Sequence, residues 1–183
     1  MKTCYFTFGR FNPPTVGHEK LIKAVRKEAA SADWFIIPTQ THKQPNNPLP
    51  YAYKSALMKK MFPWAASNID DKACCNTIIK AAQHLMMKGY TDIVMVVGAD
   101  RVNDFRAMLE KYNTKDYTFN SIKVLSAGER DPDADGATGM SASKMREAAK
   151  NIDTTLFDSG IPDTLNIDEK MKLMAEVRKG MGL

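Results

Sequence analysis

Along the chain, short apolar runs alternate with segments whose apolar residues recur every three or four positions, the pattern of strands threaded between amphipathic helices. The first run, Cys4-Tyr5-Phe6-Thr7-Phe8, leads through a turn rich in Gly and Pro into a helix with Leu21, Ile22, Val25 and Ala29 on one face. Trp34-Phe35-Ile36-Ile37 is a second strand and stops at Pro38, which has no N–H for a ladder. Thr39 to Pro50, with Asn46, Asn47, Pro45 and Pro48 inside it, reads as a loop at the end of that strand. Two helices follow, one carrying Leu57, Met58, Met61 and Phe62, the other Ile78, Ile79, Ala82, Leu85 and Met86 with Gly89 at its end. Ile93 to Val97 has no polar alternation, as expected of a strand buried on both faces, and Gly98-Ala99-Asp100 comes directly after it. A helix with Val102, Phe105 and Leu109, a strand at Ile122 to Leu125 and a polar loop from Gly128 to Gly139 come next. A helix N-capped by Ser141, with Met145, Ala148 and Ala149 inward, and a terminal helix from Asp168 to Lys179 complete the pattern.

Strands alternating with helices predict an α/β fold with a parallel sheet covered by helices. The 183 residues fit one domain, with residues 1–150 as the core and 151–183 as a helical extension packed on it. At 44% hydrophobic and 26% charged, the chain has the composition of an ordinary globular protein. It has no cleavable leader pattern and no apolar run of spanning length, so a cytoplasmic location with no membrane partner is expected.

The net charge of +5 suits an anionic partner. The basic residues are spread along helical stretches instead of forming a run, which favours nucleotides or phosphates over nucleic acid. Cys4, Cys74 and Cys75 lack C-x-x-C spacing, so idle thiols are expected and no zinc or redox site.

The candidate chemistry begins where the first strand runs into Gly9-Arg10-Phe11-Asn12-Pro13-Pro14-Thr15-Val16-Gly17-His18 and a helix starts. A helix start offers unpaired backbone N–H groups and the positive pole of the helix dipole, both favourable to phosphate. Gly9 and Gly17 allow close backbone approach, and His18 in the first turn can donate to an α-phosphate oxygen. On that reading, His18→Ala leaves the melting behaviour nearly unchanged.

This segment resembles the G-x-F-x-P-x-[HT]-x-G-H signature of the nucleotidyltransferase superfamily, which includes mononucleotide adenylyltransferases, pantetheine-phosphate adenylyltransferases and cytidylyltransferases. The resemblance implies nucleotide-binding roles for Gly9, Arg10, Phe11, Thr15, Gly17 and His18. Thr15 stands where many members have His, as it does in the pantetheine-phosphate enzymes.

Met140-Ser141-Ala142-Ser143-Lys144-Met145-Arg146 resembles the late I-S-S-T-x-x-R element of the same superfamily. By that resemblance, Ser141 and Ser143 bond the departing β- and γ-phosphates and Arg146 neutralises them, as hydroxyls and a guanidinium at a helix start are suited to do. Gly98-Ala99-Asp100 is similar to the G-[AS]-D of mononucleotide adenylyltransferases, which implies that Asp100 reaches the ATP ribose. Ile37 to Lys43 is similar to their post-strand loop ending in a basic residue, which implies a phosphate contact for Lys43. Ser143–Lys150 and the closing VRKGMGL also resemble cytidylyltransferase-like proteins of tailed phages.

Taken together, the resemblance implies a Rossmann-like three-layer nucleotidyltransferase fold and transfer of AMP from ATP to a phosphorylated small molecule. His18, Lys43 and Arg146 would act as the catalytic charges, with Mg²⁺ held by phosphate oxygens and water and no metal ligands on the protein. Nicotinamide or nicotinate mononucleotide is the expected acceptor, giving NAD or deamido-NAD. The mononucleotide enzymes commonly stack the pyridine on a Trp before a T-x-x-[VL] helix start. Here Thr77-Ile78-Ile79 matches that start, but Lys72, Ala73, Cys74 and Cys75 precede it, leaving Tyr51 or Trp64 to stack from elsewhere. Cytidylyl transfer, pantetheine-phosphate-type adenylyl transfer and a catalytically silent nucleotide-binding module stay open, as does a homo-oligomer.

Overall fold

In the computed structural model, which describes residues 1–128 and 140–183, four strands form one parallel sheet in the order β2-β1-β3-β4. These are β1 (Thr3–Gly9), β2 (Asp33–Pro38), β3 (Asp92–Val97) and β4 (Ser121–Ser126). Parallel neighbours require crossovers, and helices supply them: α1 (Val16–Ala29), α2 (Tyr51–Met61), α3 (Ile78–Met87) and α4 (Val102–Tyr112). After β4 come α5 (Ala142–Lys150), α6 (Thr154–Ser159) and α7 (Ile167–Gly180). The expected polar loop after Gly128 lies outside the described residues.

The pleat distributes the strand side chains between two apolar clusters, which gives three layers. Ile36 and Val96 face a cluster with α1, α2, α5 and the C-terminal helices, while Phe6, Ile37, Ile93, Met95 and Val97 face one with α3 and α4. Ile93–Val97 are all buried in β3, as the run without polar alternation predicts, and Asp92 at its start is buried too. Residues 151–183 contribute Phe157, Ile161, Leu165, Leu173 and Val177 to the first cluster. Arg178 on α7 donates to the carbonyls of Ala149 and Lys150 at 2.8 and 2.9 Å, neutralising the C-terminal end of α5.

The cysteines divide. Cys4 is a buried thiol whose pKa is pushed up to about 12, chiefly by burial and then by Asp33. The expectation of idle thiols at the other two is corrected: Cys74 and Cys75 are joined to each other by a disulfide. A test for C-x-x-C spacing is blind to a bond between chain neighbours.

The topology also locates the crevice. From β1 the chain crosses to one side to make β2, then returns to the other side for β3, so β1 and β3 flank a topological switch point. Their pairing runs from Thr3–Asp92 to Phe6–Met95, while β1 continues to Gly9 and β3 to Val97. The two strands therefore part at their C-terminal ends, where both Gly-bearing turns begin. Among the described residues, no helix is long and apolar enough to cross a membrane.

Candidate active site

Thr15, fully buried, is the N-cap of α1. Its hydroxyl oxygen accepts from the N–H groups of Gly17 and His18 at 3.1 and 3.4 Å, and the Val16 N–H donates to the Gly160 carbonyl at 3.0 Å. The donors expected to be unpaired at this helix start are therefore already engaged. What α1 retains for an anion is its dipole and the side chains around its first turn.

His18 closes the capping box in reverse: its Nδ1 accepts the Thr15 N–H at 3.0 Å. That bond leaves Nδ1 unprotonated and places the ring proton on Nε2, so the imidazole acts as a neutral donor through its far nitrogen. Phe11 packs edge-on against the ring, with centroids 4.8 Å apart.

The Thr15 hydroxyl proton goes to the carbonyl of Met140 at 2.9 Å, across 125 residues of chain. This bond joins the two sequence motifs. Gly17 shows how close they lie, because a Cβ there would stand 2.9 Å from the Met140 carbonyl oxygen. Gly17→Ala is accordingly expected to push the motifs apart, lowering stability by about 1–3 kcal/mol and reducing activity at temperatures where the chain is still folded. Thermal unfolding and turnover measured together check this, and an unchanged melting temperature would refute it.

Arg146 completes the junction from α5. One guanidinium nitrogen donates to the Asn12 carbonyl at 2.9 Å and the other to the Ser143 hydroxyl at 3.1 Å. Its pKa is lowered by burial and then by the charge of Arg10, so two cations share the place where the loop after β1 meets α5. An anion bound there would relieve both penalties. Ser141 caps α5 by accepting the Lys144 N–H at 3.2 Å, and among the described residues its own hydroxyl proton has no acceptor.

Two residues that motif reading did not single out hold this junction in place. Asn12 grips Leu49 with both ends of its amide, accepting the Leu49 N–H at 2.8 Å and donating to its carbonyl at 3.1 Å. Lys54 on α2 is completely buried and donates to the carbonyls of Arg10 at 2.6 Å and Thr39 at 2.7 Å. One ammonium thus ties the loop after β1 to the loop after β2. The available signal was phase: Lys54 lies in register with Met58 and Met61 on the inner face of α2.

Burial lowers the Lys54 pKa from 10.5 to about 8. Below about pH 8 both folded and unfolded chains carry the charge, and the fold bears its full desolvation cost. Between about 8 and 10.5 the folded chain sheds the proton first, so stability rises with pH in that window. A neutral amine still has two N–H donors for the two carbonyls. The melting temperature of the wild type should therefore gain on that of Lys54→Met between about pH 7 and about pH 9.5. A pH-independent difference would refute the buried charge.

Gly98 begins the turn after β3, and Asp100 is exposed within the short 3-10 segment Ala99–Arg101, whose first N–H donates to Gly128 at 3.3 Å. Lys43 is exposed on a tight turn closed by reciprocal backbone bonds with Asn47 at 3.0 and 2.8 Å. Loops place these three residues, whereas direct bonds tie Thr15 to Gly17, His18 and Met140, and Arg146 to Ser143 and Asn12. Of the aromatic candidates, Trp64 lies under the guanidinium of Arg26, and Tyr51 donates its hydroxyl to the Asp70 carbonyl at 2.6 Å.

Residues 6–148, which include both motifs and the sheet, match the sequence profile of the cytidylyltransferase-like family. The chain belongs to that family. Its fold and both motifs are those of a nucleotidyltransferase, and the match leaves the C-terminal helices of this cytidylyltransferase-like protein outside its span. A protein of Acholeplasma laidlawii with the assignment nicotinate-nucleotide adenylyltransferase is 24% identical over 200 residues, covering 91% of this chain and 92% of that one. A structure from Vibrio parahaemolyticus with the same assignment superposes with a TM-score of 0.59 at 17% identity, covering 95% of this chain and 99% of that chain. The nicotinic acid mononucleotide adenylyltransferase of Plasmodium falciparum, complexed with NaAD, gives a TM-score of 0.55 at 14% identity over 96% of this chain and 98% of that one. Such structural likenesses establish the three-layer α/β fold of this family member.

Proposed function

We propose that this protein transfers AMP from ATP to nicotinate mononucleotide, releasing pyrophosphate and forming deamido-NAD. The observation that carries the transfer is the junction at Arg146: a half-buried guanidinium between the Asn12 carbonyl and the Ser143 hydroxyl, with Arg10 close by and the start of α1 bonded to Met140. Such an arrangement suits a polyphosphate. The relatives named above support the acceptor.

In this reading a phosphate oxygen of the acceptor attacks the α-phosphorus in line. A new P–O bond forms while the α–β bridging bond breaks, and its electron pair leaves on pyrophosphate. His18 donates from Nε2 to a non-bridging α-phosphate oxygen as charge grows there, and Arg146 with Ser141 and Ser143 holds the departing end. Positioning and charge stabilisation supply the rate, without a covalent intermediate. Lys43 extends from the loop after β2 towards the phosphates, and Asp100 takes the ribose. Mg²⁺ arrives on the triphosphate as part of the substrate. Among the described residues, one cluster brings three metal-ligand groups together, Asp70, Cys74 and His84.

Pyrophosphate release should be followed with ATP or CTP, each paired with nicotinate mononucleotide, nicotinamide mononucleotide, phosphopantetheine or a polyol phosphate. Release with ATP and nicotinate mononucleotide is expected. Activity confined to other acceptors would refute the acceptor and leave the transfer standing, while release with CTP alone would refute the adenylyl donor.

A further inference from the structure

At the edge of the sheet opposite β4 lies β2, and residues 69–75 are laid along its free side. Ile69 bridges to Ile36, the Asp70 N–H donates to the Ile36 carbonyl at 2.8 Å, and the Gln40 N–H donates to the Cys75 carbonyl at 2.9 Å. This covers an otherwise open ladder. On the outer side of the segment, Asp70, Cys74 and His84 converge, with one ligand atom from each within 4.8 Å of the others and all three half-buried.

We propose that Asp70, Cys74 and His84 bind a zinc-type divalent cation, and that the site is open when the Cys74–Cys75 pair is reduced and closed when it is bonded. The donor set is one carboxylate, one imidazole and one thiolate, a borderline-to-soft combination that suits Zn²⁺ and leaves a fourth position for water. The geometry is close to what such an ion needs. His84 Nε2 lies 2.7 Å from Asp70 Oδ2, and ligands at about 2.0–2.1 Å in a tetrahedron stand about 3.3 Å apart. The imidazole and carboxylate therefore separate by a fraction of an ångström to admit the metal.

Asp70 is held for the task on three sides: its N–H by Ile36, its carbonyl by the Tyr51 hydroxyl at 2.6 Å, and its Oδ1 by the Lys72 N–H at 2.9 Å. An opening of about 120 Å³ lined by Asn68, Asp70, Lys72 and Lys88 reaches the Asp70 side of the cluster.

The disulfide sets the condition. Bonded to Cys75, the sulfur of Cys74 is not a thiolate and does not serve as a metal ligand. A dithiol reagent delivers two electrons and two protons, breaking the S–S bond to give two thiols while the reagent becomes a disulfide. On metal binding the Cys74 thiol then releases its proton to solvent. A bound ion would fasten residues 70–74 to α3 through His84.

The test uses the full chain reduced with dithiothreitol, desalted without air and titrated with Co²⁺ and then Zn²⁺. One Co²⁺ per chain should bind with a thiolate-to-cobalt charge-transfer band, and Zn²⁺ should displace it. The oxidised chain should lack the band, and Cys75→Ser should show it without prior reduction. Cys74→Ser should lose the band, and His84→Gln, with folding checked by circular dichroism, should weaken Co²⁺ binding at least about tenfold. A reduced wild type that binds no Co²⁺, or a band that persists unchanged in both Cys74→Ser and His84→Gln, would overturn the site. Neither readout depends on the acceptor or on nucleotidyl transfer.

Discussion

Replacement of His18 by alanine is expected to cut turnover about 10²-fold or more, the scale for losing one preorganised donor to developing charge. The tautomer supports this role, because the Thr15 N–H occupies Nδ1 and leaves Nε2 as the donating nitrogen. The same bond revises the expectation that melting would be nearly unchanged. His18 forms half of the α1 capping box, and its removal should cost about 1 kcal/mol of stability. His18→Gln separates the two effects, since a glutamine at this position can still accept the Thr15 N–H while offering no imidazole. It should melt near the wild type and still turn over slowly. Turnover close to wild type in both variants would remove His18 from the chemistry.

Arg146→Ala should lower kcat/KM for ATP by about 10²–10³-fold, with losses in both nucleotide affinity and turnover, because its proposed partners are present in the ground state and the transition state alike. AMP binding should fall far less, since AMP lacks the two phosphates involved. Added salt should weaken ATP binding more than AMP binding in the wild type, and this difference should shrink in the variant. The motivation is the lowered pKa of Arg146, caused by burial and by Arg10, which marks a place short of negative charge. Equal losses of ATP and AMP affinity would place Arg146 elsewhere.

What could be read from the chain were the features encoded locally. The five-residue run Ile93–Val97, the helix phases and both nucleotide motifs depend on neighbours within a few positions, and all appear where expected. What could not be read were features decided by contacts across the fold. Lys54 has the composition of a surface residue and the phase of a core residue, and only the two carbonyls it reaches resolve that conflict. Asn12 stands in the segment before α1, yet its amide clasps a residue 37 positions away. The occupied N–H groups of α1 depend partly on Gly160, which no helix-start pattern contains. Asp70, Cys74 and His84 have no motif spacing and meet because a segment lies along a strand edge.

The Lys54 ammonium has a consequence for the order of events on the enzyme. It holds the backbone of Arg10, in the nucleotide motif, and of Thr39, in the loop that carries Lys43, so the two loops are tied to each other through one group. On the proposed reading, one substrate that orders its loop prepays part of the ordering cost for the other. Each should then bind more tightly in the presence of its partner, and thermodynamic reciprocity makes the two enhancement factors equal. With Lys54→Met the loops would settle separately, and both factors would fall together towards one.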